Sequence, residues 1–205
     1  MRPFQFLEPN DTGVSLLLRV LNLPKLIRKL YAWYWRYIRK DPTLAGLISN
    51  FGRKTIIEQY ALVVRRESYR AQFYKMWKEA DIDFLLTVPH SLPGIPHKGS
   101  GKSIGSIMYS FLFNIVDYTA GVIPVTKVSS SLDGLTTTFK EQLRGTSVIA
   151  RSAYENYDPV AMNGLPVGVQ IVGRRLEEEK VLEGMKIVQS LLRDNGLGYK
   201  LLNEL

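Results

Sequence analysis

The chain has 205 residues, room for one domain or two small ones, and is 45% apolar and 22% charged, an ordinary globular composition. It has no cysteine, which excludes disulfide scaffolds, thiolate zinc sites, iron–sulfur clusters and a cysteine nucleophile. Its formal net charge of +8 suits nucleic acid, an anionic membrane or an acidic partner, depending on where the charge sits.

The first nine residues show no signal-peptide pattern. Asn10-Asp11-Thr12 is a glycosylation sequon that carries little weight without a secretory signal. Residues 12–40 contain no acidic residue and seven basic ones: Arg19, Lys25, Arg28, Lys29, Arg36, Arg39 and Lys40. Taking these seven from the 27 basic residues leaves 20 against 19 acidic ones, so the basic character belongs to this segment. Residues 14–21 read as a short apolar helix, and Asn22 and Pro24 mark a sharp joint.

Residues 25–40 are predicted to form a second helix. At about 100° per residue the six basic side chains fall in an arc of about 120°. Leu26, Ile27, Leu30, Tyr31, Trp33, Tyr34, Trp35, Tyr37 and Ile38 occupy the rest. Lys/Arg on one face and Trp/Tyr/Leu/Ile on the other is the pattern of a helix lying in a membrane interface. The competing reading is a hairpin packed on its own chain or a partner, with the basic residues in water. No run reaches eighteen uncharged residues, so a transmembrane helix is not expected. No recognised nucleic-acid module accompanies the basic segment, and no nucleic-acid partner is expected.

Residues 54–80 read as a long helix with Ile56, Ile57, Tyr60, Val63, Val64, Tyr69, Phe73, Met76 and Trp77 on a buried side. Residues 82–88 read as a buried strand stopped by Pro89, and 89–101 as a loop holding both histidines, His90 and His97. Residues 104–115 suit a buried helix, and 122–128 a strand interrupted by Pro124. Residues 129–158 are polar and irregular, with one helix near 147–156. Residues 165–172 read as a strand whose glycine implies close backbone packing, and 177–193 as a well-marked helix.

Gly99-Ser100-Gly101-Lys102-Ser103 looks like the end of a phosphate-binding loop, but Pro96 stands where the motif needs its first glycine. Lys127 near Ser129, Ser130 and Ser131 lacks the glycines that would expose a nucleophile or form an oxyanion hole, so turn polarity is the better reading. The two histidines have no suitably spaced acid, and a local structural role is expected for both. No metal or cofactor is expected either.

Three stretches, in order, resemble the C-terminal part of the amidase signature family. They are Tyr69-Arg70 with Asp81-Ile-Asp-Phe-Leu-Leu-Thr-Val-Pro89; Phe113-Asn-Ile-Val-Asp-Tyr-Thr-Ala-Gly-Val-Ile-Pro-Val-Thr126; and Gly164-Leu-Pro-Val-Gly-Val-Gln-Ile-Val-Gly173 followed by Glu177-Glu-Glu-Lys-Val-Leu182. The likeness is greatest to the eukaryotic fatty-acid amide hydrolase branch, where an amphipathic helical hairpin forms a membrane-binding cap. The implied fold class is α/β, the C-terminal part of the amidase-signature fold: a mixed sheet flanked by helices, with an N-terminal amphipathic hairpin. Residues 1–205 then form a partial amidase domain, with 14–40 as the cap-like hairpin and 54–205 as the C-terminal α/β portion.

The family hydrolyses amides with a Ser–cis-Ser–Lys triad on a Gly-Gly-Ser-Ser-Gly-Gly-type stretch, which nothing in this sequence matches, so no catalytic residue carries over and the chain alone is expected to be inactive. The resemblance implies substrate-channel roles for Leu47, Phe51, Ile104, Ile107, Phe111 and Leu176. Leu176 departs from the branch's pocket aromatic. It implies membrane contact for Lys25, Arg28, Lys29, Tyr31, Trp33, Tyr34, Trp35, Arg36, Arg39 and Lys40. The implied partners are a membrane surface, an amide-containing lipid if the catalytic half is present, and a second copy of the chain. The implied location is peripheral, on the cytoplasmic face of endomembranes, or else cytoplasmic. The alternative is a non-catalytic membrane-binding or subunit-like module.

Overall fold

A computed structural model describes residues 12–103, 105, 108–197 and 199, and the chain divides into two compact units. The first gathers residues 12–54, 95–103, 105 and 135–157; the second gathers 55–94, 108–134, 158–197 and 199.

The first unit is helical: α1 (Thr12–Asn22), α2 (Lys25–Trp33), a π-helical turn (Tyr34–Ile38), α3 (Pro42–Asn50), α5 (Ser100–Ser103), α7 (Thr137–Arg144) and α8 (Val148–Tyr154). The joint between α1 and α2 falls where Asn22 and Pro24 put it. The second helix does not run unbroken to Lys40. It widens into the π turn, and Lys40 takes a φ of 54° before α3 begins. Asp41 then performs two tasks. Its Oδ1 accepts from the Leu44 N–H at 2.9 Å, capping α3 ahead of Pro42, and its Oδ2 accepts from the Val148 N–H at 2.7 Å, at the start of α8. The carboxylate is buried, so its removal strands two buried donors. Asp41→Ala is expected to cost about 2–4 kcal/mol of unfolding free energy in a urea titration of the chain. A loss under about 1 kcal/mol would show that water replaces both caps.

The Gly-Ser-Gly-Lys-Ser segment forms the single helical turn α5. Thr12 ties it to α1: its Oγ1 donates to the Lys98 carbonyl and accepts from the Gly101 N–H, each at 3.0 Å. Asn156 donates to the Gly99 carbonyl at 2.9 Å, and Lys102 pairs with Glu155. α7 lies in a stretch whose polarity suggested irregular chain; Thr136 caps it by accepting from the Phe139 N–H.

The second unit carries α4 (Ile56–Glu79), β1 (Leu85–Thr87), α6 (Met108–Val116), β2 (Ala120–Lys127), β3 (Pro166–Val172) and α9 (Glu178–Asp194). The strands order as β1-β3-β2, and both pairings are antiparallel. The expected 82–88 strand shrinks to three residues, because Asp81 turns left-handed at φ 50° and Pro89 follows closely. β2 tolerates Pro124 as an edge strand, and its pairing shifts between Pro124 and Thr126.

Two layers of core cover the sheet. Phe113 and Val116 of α6 pack on Val172, joined by Phe73 of α4, Leu85 and Tyr118. On the other face Val181 of α9 packs on Ile171 and Ile123. The glycines allow that closeness: a Cβ on Gly121 would displace the Met185 side chain, and one on Gly173 would stand 2.6 Å from Val181 Cγ2. α4 is capped by a Thr55–Glu58 capping box. Its expected buried side is mostly exposed, however. Trp77 is buried and Phe73 and Val63 are half-buried, but Ile56, Ile57, Tyr60, Val64, Tyr69 and Met76 are exposed. Apolar periodicity marks a face that demands a partner, and most of this one meets none among the described residues.

Candidate functional site

Most of the residues singled out from the sequence lie on the α1–α2 hairpin and on α3. On α2 and the π turn, Ala32 and Arg28 are buried and Trp35 is half-buried. These three share one side of the helix, at about 280–340° counted from Lys25 at about 100° per residue. The opposite side carries Leu26 (70% exposed), Leu30 (60%), Trp33 (55%) and Tyr37 (61%). Lys25, Lys29, Arg36, Arg39 and Lys40 are also exposed. An amphipathic helix normally turns its apolar stripe inward. This one turns Ala32, Trp35 and one basic residue inward and most of its other large apolar side chains outward. Val14, Leu16 and Leu18 of α1 are exposed as well.

Arg28 is a correction to the expected basic face. Its guanidinium lies against Gly52, where an ideal Cβ would come within 2.3 Å of Nη1, and Gly52 has a φ of 138°. The same group reaches the Leu23 carbonyl at 3.5 Å. A charge this sheltered fixes the end of α3 to the hairpin. Trp35 is likewise turned into the unit. Its ring meets Tyr31 and Tyr34 edge-on, the Arg39 guanidinium stands 5.5 Å from its centre, and its buried Nε1 has no partner among the described residues.

Leu47 and Phe51 stand one turn apart at the end of α3, both half-buried. Phe111 is exposed on α6, and Leu176 is 75% exposed in the turn before α9 with a φ of 61°. Ile104 and Ile107 lie outside the described residues.

The tempting catalytic clusters resolve as local structure. Ser129 and Ser131 hydroxyls bond to each other at 3.0 Å, the Ser129 N–H donates to Asp133, and Lys127 Nζ lies 5.3 Å from the centre of the Tyr199 ring. His90 Nδ1 lies 3.0 Å from both the N–H and the carbonyl of Leu92, closing a turn. Sequence reasoning missed a node that joins two of the quoted stretches. Arg70 donates to the Ile115 carbonyl at 2.8 Å and pairs with Asp117, which also pairs with Arg175 at 2.8 Å. The spacing of those stretches gave no sign that their charges meet. Among the described residues no acidic or histidine cluster could hold a metal, and no helix is long and apolar enough to cross a membrane.

The Amidase family model matches residues 47–182. Fatty-acid amide hydrolase 1 of Sus scrofa is 29% identical over 89% of this chain and 30% of its own length. Amidase 1 of Gibberella moniliformis is 32% identical over 74% of this chain and 29% of its own length. Fatty acid amide hydrolase 1 of Caenorhabditis elegans is 27% identical over 72% of this chain and 25% of its own length. A solved fatty acid amide hydrolase structure superposes with a TM-score of 0.61 at 21% identity, covering 90% of this chain and 33% of that one. The chain thus has the fold of the corresponding part of that enzyme, and it spans less than a third of the length of these curated relatives.

Proposed function

The chain belongs to the amidase family, and from that premise we propose that it is the membrane-docking and acyl-binding portion of a hydrolase of fatty-acid amides. The observation that carries this reading is the outward-facing apolar arc of α2 and the π turn, flanked by exposed lysines and arginines. A monomer in water rarely leaves a contiguous apolar patch of that kind uncovered. Trp and Tyr prefer the depth where the ring is apolar and its polar atom stays wet. The fatty-acid amide hydrolases among the relatives supply the substrate class.

In this reading α3 leads from the hairpin toward the substrate, with Leu47 and Phe51 as acyl-chain contacts. Phe111 and Leu176 carry the same proposed role on their own elements, as do Ile104 and Ile107, which lie outside the described residues. The chemical step belongs to polypeptide that the longer relatives carry, since no Ser–Ser–Lys stretch is found in this sequence. The chain alone is therefore expected to show no turnover of a long-chain fatty-acid amide, and measurable hydrolysis would overturn that assignment. A diazirine-tagged fatty-acid amide delivered in vesicles should label α3 around Leu47 and Phe51. Labelling that avoids α3 would overturn the acyl-contact role.

A further inference from the structure

We propose that the exposed face of α4 docks a second copy of this chain, the two helices crossing antiparallel about a two-fold axis. Ile57, Tyr60, Ala61, Val64, Ser68 and Ala71 are all exposed. At about 100° per residue they fall within an arc of about 100°. Ile57 is 80% exposed, Tyr60 68% and Val64 65%. Val63, Phe73 and Trp77, which are buried or half-buried, lie on the opposite side of the helix, at about 160–240° from Ile57. The stripe runs in three- and four-residue steps along about four turns, the pattern that a second helix fits. Glu58 and Glu67 flank it on its two sides, which disfavours an anionic lipid surface as the occupant.

The stripe complements itself when the copies cross near Leu62. Ile57 of one copy then meets Ser68 of the other, and Val64 meets Ala61, so that large side chains face small ones. Charge selects the antiparallel direction. Glu58 and Arg65 lie on the same flank, at about 100° and 80° from Ile57. Antiparallel helices bring like flanks together, so Glu58 of each copy faces Arg65 of the other, whereas parallel pairing would separate them. The capping box at Thr55 holds Glu58 in place, and the longer Arg65 supplies the reach. On the other flank Glu67 pairs with Arg66 and Arg70 of its own chain. Two such stripes with their flanks bury on the order of 1,200 Å² in total, the lower limit for a specific interface, so the pairing is weak and reversible. The inference rests on the surface of the second unit and on neither membrane docking nor amide hydrolysis.

The sequence has no cysteine, so an introduced one can bond only to a second copy. Ile57→Cys mixed with Ser68→Cys, one of them lengthened by an affinity tag, is oxidised mildly and the dimers are separated by size. The mixed dimer should exceed each like dimer about tenfold, because in a like dimer the cysteines stand more than about 15 Å apart along the helix axes, beyond disulfide reach. Val64→Glu sets two carboxylates near the axis. It should stay monomeric in sedimentation velocity at concentrations where the wild type dimerises, with its melting temperature unchanged, since Val64 is exposed in the single chain. Like dimers as abundant as mixed ones would overturn the antiparallel contact. Association of Val64→Glu equal to that of the wild type would move self-association to another surface, such as the hairpin. A wild type that stays monomeric would leave the face to polypeptide that the longer relatives carry. Either of these results would overturn the proposal as well.

Discussion

On mixed phosphatidylcholine–phosphatidylserine vesicles, replacing Lys25, Lys29, Arg36 and Lys40 together by glutamine is expected to reduce partitioning at least about a hundredfold. Each basic residue near an anionic surface contributes about 1 kcal/mol, so four could supply about 4 kcal/mol. Not all four need reach the headgroups at once, which is why the expected loss is set lower. All four are exposed, whereas Arg28 is not. Arg28→Gln is therefore expected to act differently: it should lower thermal stability by loosening the contact with Gly52 rather than selectively weaken vesicle binding. Added salt should weaken the wild type strongly and the fourfold variant little, because screening acts on the charges alone. Trp33 gives a second readout, since its outward ring should be quenched by brominated lipid. Equal sedimentation of wild type and fourfold variant would remove the membrane assignment and favour a hairpin that docks on protein.

The sequence made the helical joint at Asn22–Pro24 legible, because a proline restricts the chain locally; Pro24 stands at the N-cap of α2, with no side-chain cap. It made β3 and α9 legible for the same reason: a continuous apolar run and a stripe with acidic start and basic end are properties of neighbouring residues. The π turn was not legible, since it arises where the chain must bring Asp41 to α3 and α8 together. The direction of the α2 faces was also hidden. The apolar and basic arcs can be counted, but which arc meets the protein depends on positions elsewhere in the unit, such as Gly52 against Arg28. The same limit explains α4: its apolar residues are plain in the sequence, but most of them do not enter the core.

The part of α4 that does enter the core should dominate the stability of the second unit. Trp77→Ala is expected to cost about 3–5 kcal/mol, the range for removing a fully buried large aromatic. Trp77 is 1% exposed, packs edge-on against Tyr118 at 5.2 Å and stacks obliquely on Phe73 at 6.2 Å. Alanine there would open a void between α4 and the layer formed by α6 and the sheet. Trp77→Phe should cost much less than alanine. It keeps most of the packing and removes Nε1, a buried donor without a partner among the described residues. Tyr118→Phe should be neutral or stabilising by about 1 kcal/mol, because the Tyr118 hydroxyl is also buried and has no partner among the described residues.

The two tyrosine forms should also differ in alkali. Burial raises the Tyr118 hydroxyl above its usual value of 10.0, an effect only partly offset by the Arg174 cation. The folded chain therefore holds this proton where the unfolded chain releases it. The stability from that difference is intact below pH 10.0 and is lost as the pH rises through the folded value. Urea titrations on either side of that pH should show the wild type losing stability more steeply than Tyr118→Phe. Equal slopes would mean that the hydroxyl ionises as freely folded as unfolded. A Trp77→Ala cost no larger than that of Trp77→Phe would mean that the aromatic cluster does not hold α4 to the sheet.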